Sequence, residues 1–331
     1  MQLTLYVPGL LLPDAVRDDV LFDLDAPTLS LILGRAQRHH EGADWLARAF
    51  SASPPLPIAA LRRAAENPAG AWLCLDPVHW LVGREGITLD DPSRLALAPE
   101  EAESLCAAVA PVFAPWGELS ASAPGEWELR LTRSLMLETR SLPAAAGHPI
   151  DPALPGGLDG AAWRQCLAEA QTLLHGHAAN RAREAAGKPV VNSLWPWGFG
   201  ALPEKIEAAC DVVWSRDTVL AGLALLAGIP CLSLPDGFAI ASGRVLCHID
   251  ALTVPARTLN ALTWRLALLA LERDWLAPAL AALKKGHCSA LRIVATDATG
   301  AGRTEIFSLV RGNLWRFWKR PLPLAALAAA A

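Results

Sequence analysis

The sequence predicts an α/β chain: a mostly parallel sheet covered on both faces by helices, interrupted by an inserted α+β region. Three observations carry this. From residue 210 onward, short apolar runs (CDVVWS, IPCLSLP, VLCHIDA, LRIVATDAT) alternate with helical stretches, as in a parallel sheet buried on both faces. Residues 3–7 form a similar short apolar strand ending at Pro8-Gly9, and it is expected to join that sheet. Residues 126–137, EWELRLTRSLML, instead set Trp127, Leu129 and Leu131 against Glu128, Arg130 and Thr132, the alternation of a half-exposed antiparallel strand.

The elements follow in order. Residues 26–38, 43–50 and 57–66 read as helices, the last after a PPLP turn. Residues 71–90 are rich in β-formers and carry GREG, a hairpin signal. Pro99 and two glutamates open an amphipathic helix over 99–113. The clearest helix is 160–186, with Asp159 as its cap, Gly187 as its stop, and Trp163, Cys166, Leu167, Ala170, Leu173 and Leu174 along one stripe. NSLWPWGFG, 192–200, is a poor helix and a poor central strand, because proline fixes its own φ and lacks a donor. A helix capped by Asp217 or Thr218 follows CDVVWS, and a long helix covers 256–285. The expected division is a core of 1–70 with 190–331 and an inserted cap over 71–189.

The chain has 331 residues, 53% of them hydrophobic, enough for a sizeable core. Its formal charge is −4 and no long basic stretch occurs, so the electrostatic footprint of nucleic-acid binding is missing. Seven cysteines, an odd count without a C-x-x-C, read as reduced thiols in a cytoplasmic protein. Cys247-His248 and His287-Cys288 are unsuited to chelation, since neighbours in a strand face opposite ways. The N-terminus lacks the features of a signal peptide. The uncharged run 218–235 is broken by Gly228 and Pro230, so no transmembrane segment is expected. The tail LWRFWKRPLPLAALAAAA reads as a terminal helix docking on the core, with a membrane-surface contact as the other reading.

No G-x-S-x-G, phosphate-binding loop or G-x-G-x-x-G is present. His177, Asn180, Arg181 and Glu184 share one helix face by spacing, with His175 and Arg183 beside them. They lead into Asn192, Trp195 and Trp197. Such a cluster could hold a phosphate or carboxylate; it also reads as a solvated face beside a tryptophan-packed turn.

LPGG, then LLHGHAANRAREAAGKPVVNSLWPWGFG, resembles the bacterial and archaeal cofactor-independent phosphoglycerate mutases, where H-x-x-N-x-x-R leads into N-x-x-W-x-W-G-x-G. It is closer still to a proteobacterial offshoot, the RpfE-type regulatory proteins, which share LDPVH at 75–79. The resemblance covers PTLSLILGRAQ, 71–113 and 190–300 as well. It implies an alkaline-phosphatase-like core with an inserted cap, two divalent metals, and a serine that becomes phosphorylated.

Carried over residue by residue, that site is degenerate. The first-strand aspartate falls on Pro8, and the nucleophile on Ala43 of Gly42-Ala43-Asp44. Thr253 stands for an aspartate and Arg257 for a histidine; of the late D-H pair Asp297 is kept and Ala298 replaces the histidine. A cation at Arg257 would repel a dication: even two like unit charges at ~4 Å cost about 4 kcal/mol at an effective dielectric of 20. His177, Asn180, Arg183, Asn192, Trp195, Trp197, Gly198 and Gly200 match the family pattern and are expected to bind a ligand or serve as the hinge returning the chain from cap to core. Pro196 departs from the family's usual leucine. The expectation is therefore a pseudoenzyme without cofactor or metal, regulatory or binding a phosphorylated or carboxylated metabolite. One alternative is an active mutase or phosphatase using Mn or Zn at a relocated site, drawing on Asp14, Asp44, Asp236, Asp250, Asp297 and His248. The other is a module that takes a protein partner on the Trp/Arg-rich C-terminus.

Overall fold

The computed structural model describes residues 1–84, 86–299, 302–316 and 318–324. In chain order the strands are β1 (Gln2–Pro8), β2 (Gln37–Glu41), β3 (Ala71–Val78), β4 (Trp80–Gly83), β5 (Gly86–Leu89), β6 (Gly117–Ala123), β7 (Glu126–Leu131), β8 (Ser193–Ala201), β9 (Val212–Trp214), β10 (Cys231–Leu232), β11 (Arg244–His248), β12 (Ala290–Thr296) and β13 (Thr304–Val310). The chain divides into two units: Met1–Pro54 with Lys205–Ala331, and Pro55–Glu204.

The first unit holds a seven-stranded sheet in the order β10-β9-β11-β1-β12-β13-β2. Its strands are parallel from β10 to β12; β13 and β2 run antiparallel to their neighbours. β1 joins this sheet as expected; the structure makes it the central strand, with Leu3, Leu5 and Val7 fully buried on it. The chain is thus a mixed α/β protein with a large, mostly parallel sheet. Trp264, Leu268 and Leu271 of helix Ala261–Leu271 and Leu29, Ile32 and Leu33 of helix Pro27–Arg35 complete this core. The long helix expected over 256–285 is broken into Thr253–Arg257, Ala261–Leu271, a π-helical turn Glu272–Leu276, and Ala277–Lys285. The turn is anchored: the Thr28 and Leu29 N–H groups donate to Glu272 at 2.5 and 3.0 Å, so a carboxylate from late in the chain caps a helix from its start.

Two readings change at the sheet's edges. The helix expected to 38 ends at Arg35, and QRHHE forms edge strand β2, because Arg38 and His40 reach buried Glu305 at 2.9 and 2.6 Å. IPCLSLP, read as a buried strand, contributes only the two-residue edge strand β10, half exposed. A helix at Asp14–Leu21 and strand β13 were not anticipated.

The second unit is the insert. Its four-stranded antiparallel sheet has the order β6-β7-β3-β8, and β4 and β5 form a separate hairpin around the GREG turn, whose Glu85 lies outside the described residues. Helices Pro99–Phe113 and Gly160–His175 cover it through Leu105, Val109, Phe113, Trp163 and Leu167. The boundaries expected at 70 and 190 fall at 54 and 205 instead. The reason is packing: β8 pairs with β3 over Ala71–Val78, and helix Ile58–Arg62 buries Ala59 and Ala60 with Trp195 and Trp197.

After β13 a 3-10 turn, Arg311–Trp315, leads into a strap that runs beside helix Pro27–Arg35. Arg35 donates to Leu314 O at 2.9 Å, and Leu322 N donates to Ser30 O at 3.0 Å. Gly34 lies directly under the Arg320 carbonyl, where no Cβ would fit. Residues 325–331, expected to close a docking helix, lie outside the described residues, as do Phe317 and the side chain of Asp14.

Candidate functional site

In an open α/β sheet, ligands meet the chain outside the carboxyl ends of the parallel strands. Here β1 ends at Pro8, paired with Thr296 at the end of β12. The Thr253 hydroxyl donates to Pro8 O at 3.2 Å, and Gly9 N donates to Thr296 O at 3.0 Å. Gly9 has φ +81°, and a Cβ there would stand 2.5 Å from Leu252 O, so the turn requires glycine. Asp297 and Ala298 follow β12 directly. Ala43 lies just beyond β2, whose Glu41 pairs with Thr304, itself paired with Thr296, so it stands past the same edge. Its carbonyl is held by Arg48, and Gly42 O accepts from Arg48 at 2.8 Å. Asp44 has φ 63° and precedes helix Trp45–Ala49. Pro8, Ala43, Thr253, Asp297 and Ala298, separate in sequence, are thus assembled along one edge. Arg257 ends the short helix that Thr253 begins.

The same edge carries a stacked aromatic column. The Tyr6 ring stacks on Trp45 at 5.2 Å and on His248 at 5.3 Å. Burial pushes the Tyr6 hydroxyl up to about 12, against a hydrogen bond with Thr296. His248 Nδ1 is 3.3 Å from the Ser215 hydroxyl, which accepts from Asp217 N at 2.9 Å. Burial also lowers the His248 pKa, outweighing Asp217 and Asp250, so the imidazole is held neutral.

Divalent metals do not fit these positions. Pro8, Ala43 and Ala298 offer no side-chain ligand, and Thr253 offers only a neutral hydroxyl, which donates to Pro8 O. One Asp297 oxygen accepts both the Thr299 amide and hydroxyl, at 2.7 and 2.6 Å. Asp236 is exposed, 3.8 Å from Arg216. Among the described residues, no group of three or more His, Cys, Asp or Glu side chains is arranged to hold an ion. Hard cations need several oxygen ligands together.

The second set of sequence candidates lies wholly within the insert, and those that match the family pattern are committed to its fold. The helix expected over 160–186 stops at His175. His177 caps a new helix, Ala178–Ala185, its Nδ1 accepting from Ala179 N at 3.2 Å, so His177 drops out of the expected polar face. Asn180 is buried; its amide donates to Leu174 O and Val191 O at 2.8 and 2.7 Å and its oxygen accepts from Val191 N at 3.0 Å. Arg183, 1% exposed, donates to Pro189 O at 2.8 Å, to Glu101 at 2.7 Å and to Leu95 O. His175, Arg181 and Glu184 face solvent.

Asn192 clamps the start of β4, accepting from Trp80 N at 2.6 Å and donating to Trp80 O at 2.9 Å. Trp195 Nε1 donates to Arg140 O and Trp197 Nε1 to Asp76, at 2.9 and 2.7 Å. β8 is an edge strand, which is how a sheet admits Pro196. Between the Trp72–Gly200 and Cys74–Trp197 pairs, Gly198 and Phe199 on β8 face the single residue Leu73 on β3, which makes a β-bulge. Gly198 supplies φ +62° there, and a Cβ would stand 2.8 Å from Ile58 Cβ. At Gly200 a Cβ would stand 2.7 Å from the Pro57 ring. The tryptophans and glycines therefore close the insert's own sheet, rather than forming a hinge that returns the chain to the core.

Sequence reasoning missed the charged centre of this unit. Asp76 of LDPVH, 1% exposed, accepts from Arg62 at 2.8 and 3.1 Å, from Trp127 N at 3.0 Å and from Trp197. Glu128, fully buried, accepts from Arg63 at 3.0 Å and Ser122 at 3.0 Å. Burial raises the Glu128 pKa despite Arg62 and Arg63. The adjacent Arg62-Arg63 pair on a short apolar helix was the available signal.

The comparisons agree with the resemblance over a limited span. Part of the chain is similar to archaeal phosphoglycerate mutases. The 2,3-bisphosphoglycerate-independent phosphoglycerate mutase of Methanosarcina mazei is 34% identical over 83 residues, 25% of this chain and 21% of that protein. That of Methanopyrus kandleri is 34% identical over 93 residues, 26% of this chain and 22% of that protein. The matched stretch thus spans about a fifth of the length of these curated relatives. A cofactor-independent phosphoglycerate mutase from Thermoplasma acidophilum overlays 100% of this chain and 95% of its own, with 15% identity and a TM-score of 0.47. A protein from Pyrococcus horikoshii overlays 93% and 87%, with 12% identity and a TM-score of 0.47. No protein-family model matches the chain.

Proposed function

We propose that the chain is a non-catalytic relative of the cofactor-independent phosphoglycerate mutases, acting in the cytoplasm as a regulatory protein of the RpfE type. One observation carries this reading. The positions that the resemblance assigns to nucleophile and metal ligands line one sheet edge, yet they bear Pro8, Ala43, Thr253 and Ala298. A two-metal phosphoryl transfer needs carboxylates and imidazoles to clamp the attacking and leaving oxygens, and a hydroxyl to attack. Proline and alanine supply neither, and Thr253 supplies a neutral hydroxyl in place of a carboxylate.

A phosphorylated or carboxylated metabolite at this edge would meet Arg257 as well as the carboxylates Asp217, Asp250 and Asp297. The relocated-site reading draws on the neutral His248 beside Ser215.

The test is a coupled mutase assay on 3-phosphoglycerate with Mn²⁺, Zn²⁺, Co²⁺ and Mg²⁺, beside a measurement of metal bound by the purified protein. No turnover and no stoichiometric metal from folded protein are expected. Turnover lost on Asp297→Asn or His248→Ala would overturn the proposal and establish the relocated site.

A further inference from the structure

Charge is unevenly distributed along the last strands. After Asp274 the carboxylate side chains are Asp297 and Glu305, both towards the carboxyl edge of β12. The opposite end of β12 and β13 carries cations instead. Helix Ala277–Lys285 ends in exposed Lys284 and Lys285, and Val310 leads straight into exposed Arg311. Arg311 Nη1 lies 3.6 Å from where a Cβ on Gly286 would sit, so the helix end and the strap meet. The strap adds Arg316, Lys319 and Arg320.

Aromatic side chains are interleaved with these cations. Trp315 is 76% exposed and Trp318 66%, unusual for tryptophan. Leu322 follows, also exposed. The backbone beneath them is fixed by Arg35 on Leu314 O and by Ser30 O on Leu322 N, so the side chains are presented on an anchored strap. Further on, Asp18, Asp23 and Asp25 line a cleft beside Pro323 and Leu324, which limits the cationic surface to Lys284–Arg320.

Tryptophan favours the boundary between lipid headgroups and acyl chains, and clustered Lys and Arg are drawn to anionic headgroups. From Pro321 onward the sequence is uncharged and apolar. We propose that this cationic and aromatic surface, built from Lys284, Lys285, Arg311, Trp315, Trp318 and Arg320, docks the protein on an anionic membrane surface. Charge complementarity selects the anionic partner; the exposed tryptophans and the apolar sequence after them favour lipid over an acidic protein.

The experiment is co-sedimentation of the full chain with vesicles of phosphatidylcholine alone or with added phosphatidylglycerol. Binding is expected only with the anionic lipid and should weaken as salt rises. Trp315→Ala with Trp318→Ala should abolish it. Each of Arg311→Gln and Arg320→Gln should weaken it about five-fold, the contribution of one basic residue near such a surface. Thermal melting would check that these variants fold; Trp315→Phe with Trp318→Phe, which keeps aromatic bulk, should bind better than the alanine pair. Equal binding to both vesicle types, no binding, or unchanged binding by the tryptophan variants would overturn the proposal. So would capture by soluble polyglutamate without sedimentation on vesicles, which would assign the surface to an acidic protein.

Discussion

Replacing Arg183 with methionine separates a strut from a ligand contact. The stem survives, so apolar packing changes little. What is lost is the guanidinium, which donates to Pro189 O, Leu95 O and Glu101 from a site 1% exposed. Glu101 remains partly solvated and still accepts from Ala98 N, the first cause of its lowered pKa, so its loss adds little. The two carbonyls are left without charged donors, each worth about 1.5–3 kcal/mol. A total of about 3–6 kcal/mol follows, close to the cost of other broken buried ion pairs. With a urea slope of about 2 kcal/mol/M, the insert's midpoint should fall by roughly 1.5–3 M. Urea unfolding, with hydrogen exchange on β8 and helix Ala178–Ala185 to localise the change, reads this directly. A midpoint shift below about 0.3 M would refute the structural role assigned to Arg183.

Two further outcomes follow from the geometry. Gly198→Ala should destabilise the insert by about 1–3 kcal/mol in the same unfolding assay, because the bulge needs φ +62° and the methyl would meet Ile58 and Cys74; a neutral result would mean the bulge relaxes freely. His248 has a folded-state pKa below its ordinary value of about 6.5, so its contribution is present above that pH and is lost as pH falls through the lowered value. His248→Phe, which keeps the stack on Tyr6, should flatten the dependence of melting temperature on pH in that acidic window; an unchanged slope would show that another group sets it.

The parallel sheet was legible because burial on both faces leaves uninterrupted apolar runs, as at Leu3–Val7 and Val245–Cys247. β2 was not, because QRHHE has no apolar pattern and becomes a strand through pairing with β13 and the pull of Glu305. The break at Gly176 was hidden by good helix formers on either side. At the site, the identities of Pro8, Ala43, Thr253 and Ala298 were readable, while their meeting at one edge required the fold. Motif matching was a poor guide to the roles of Asn180, Arg183 and Asn192. The same polar side chains can bind a ligand or satisfy a buried backbone, and only their partners distinguish these uses.

β1 has a consequence for synthesis. It is the middle strand of its sheet, yet Leu5 waits for Cys247 and Ile293 as its partners. The insert is continuous and can fold as it leaves the ribosome. The first 54 residues cannot, because the strands flanking β1 lie on the far side of that insert in the sequence. At about 5–20 residues per second, an apolar strand stays unpaired for about ten to fifty seconds. During that interval β1 is an apolar strand without its partners, open to pairing with another unfinished chain.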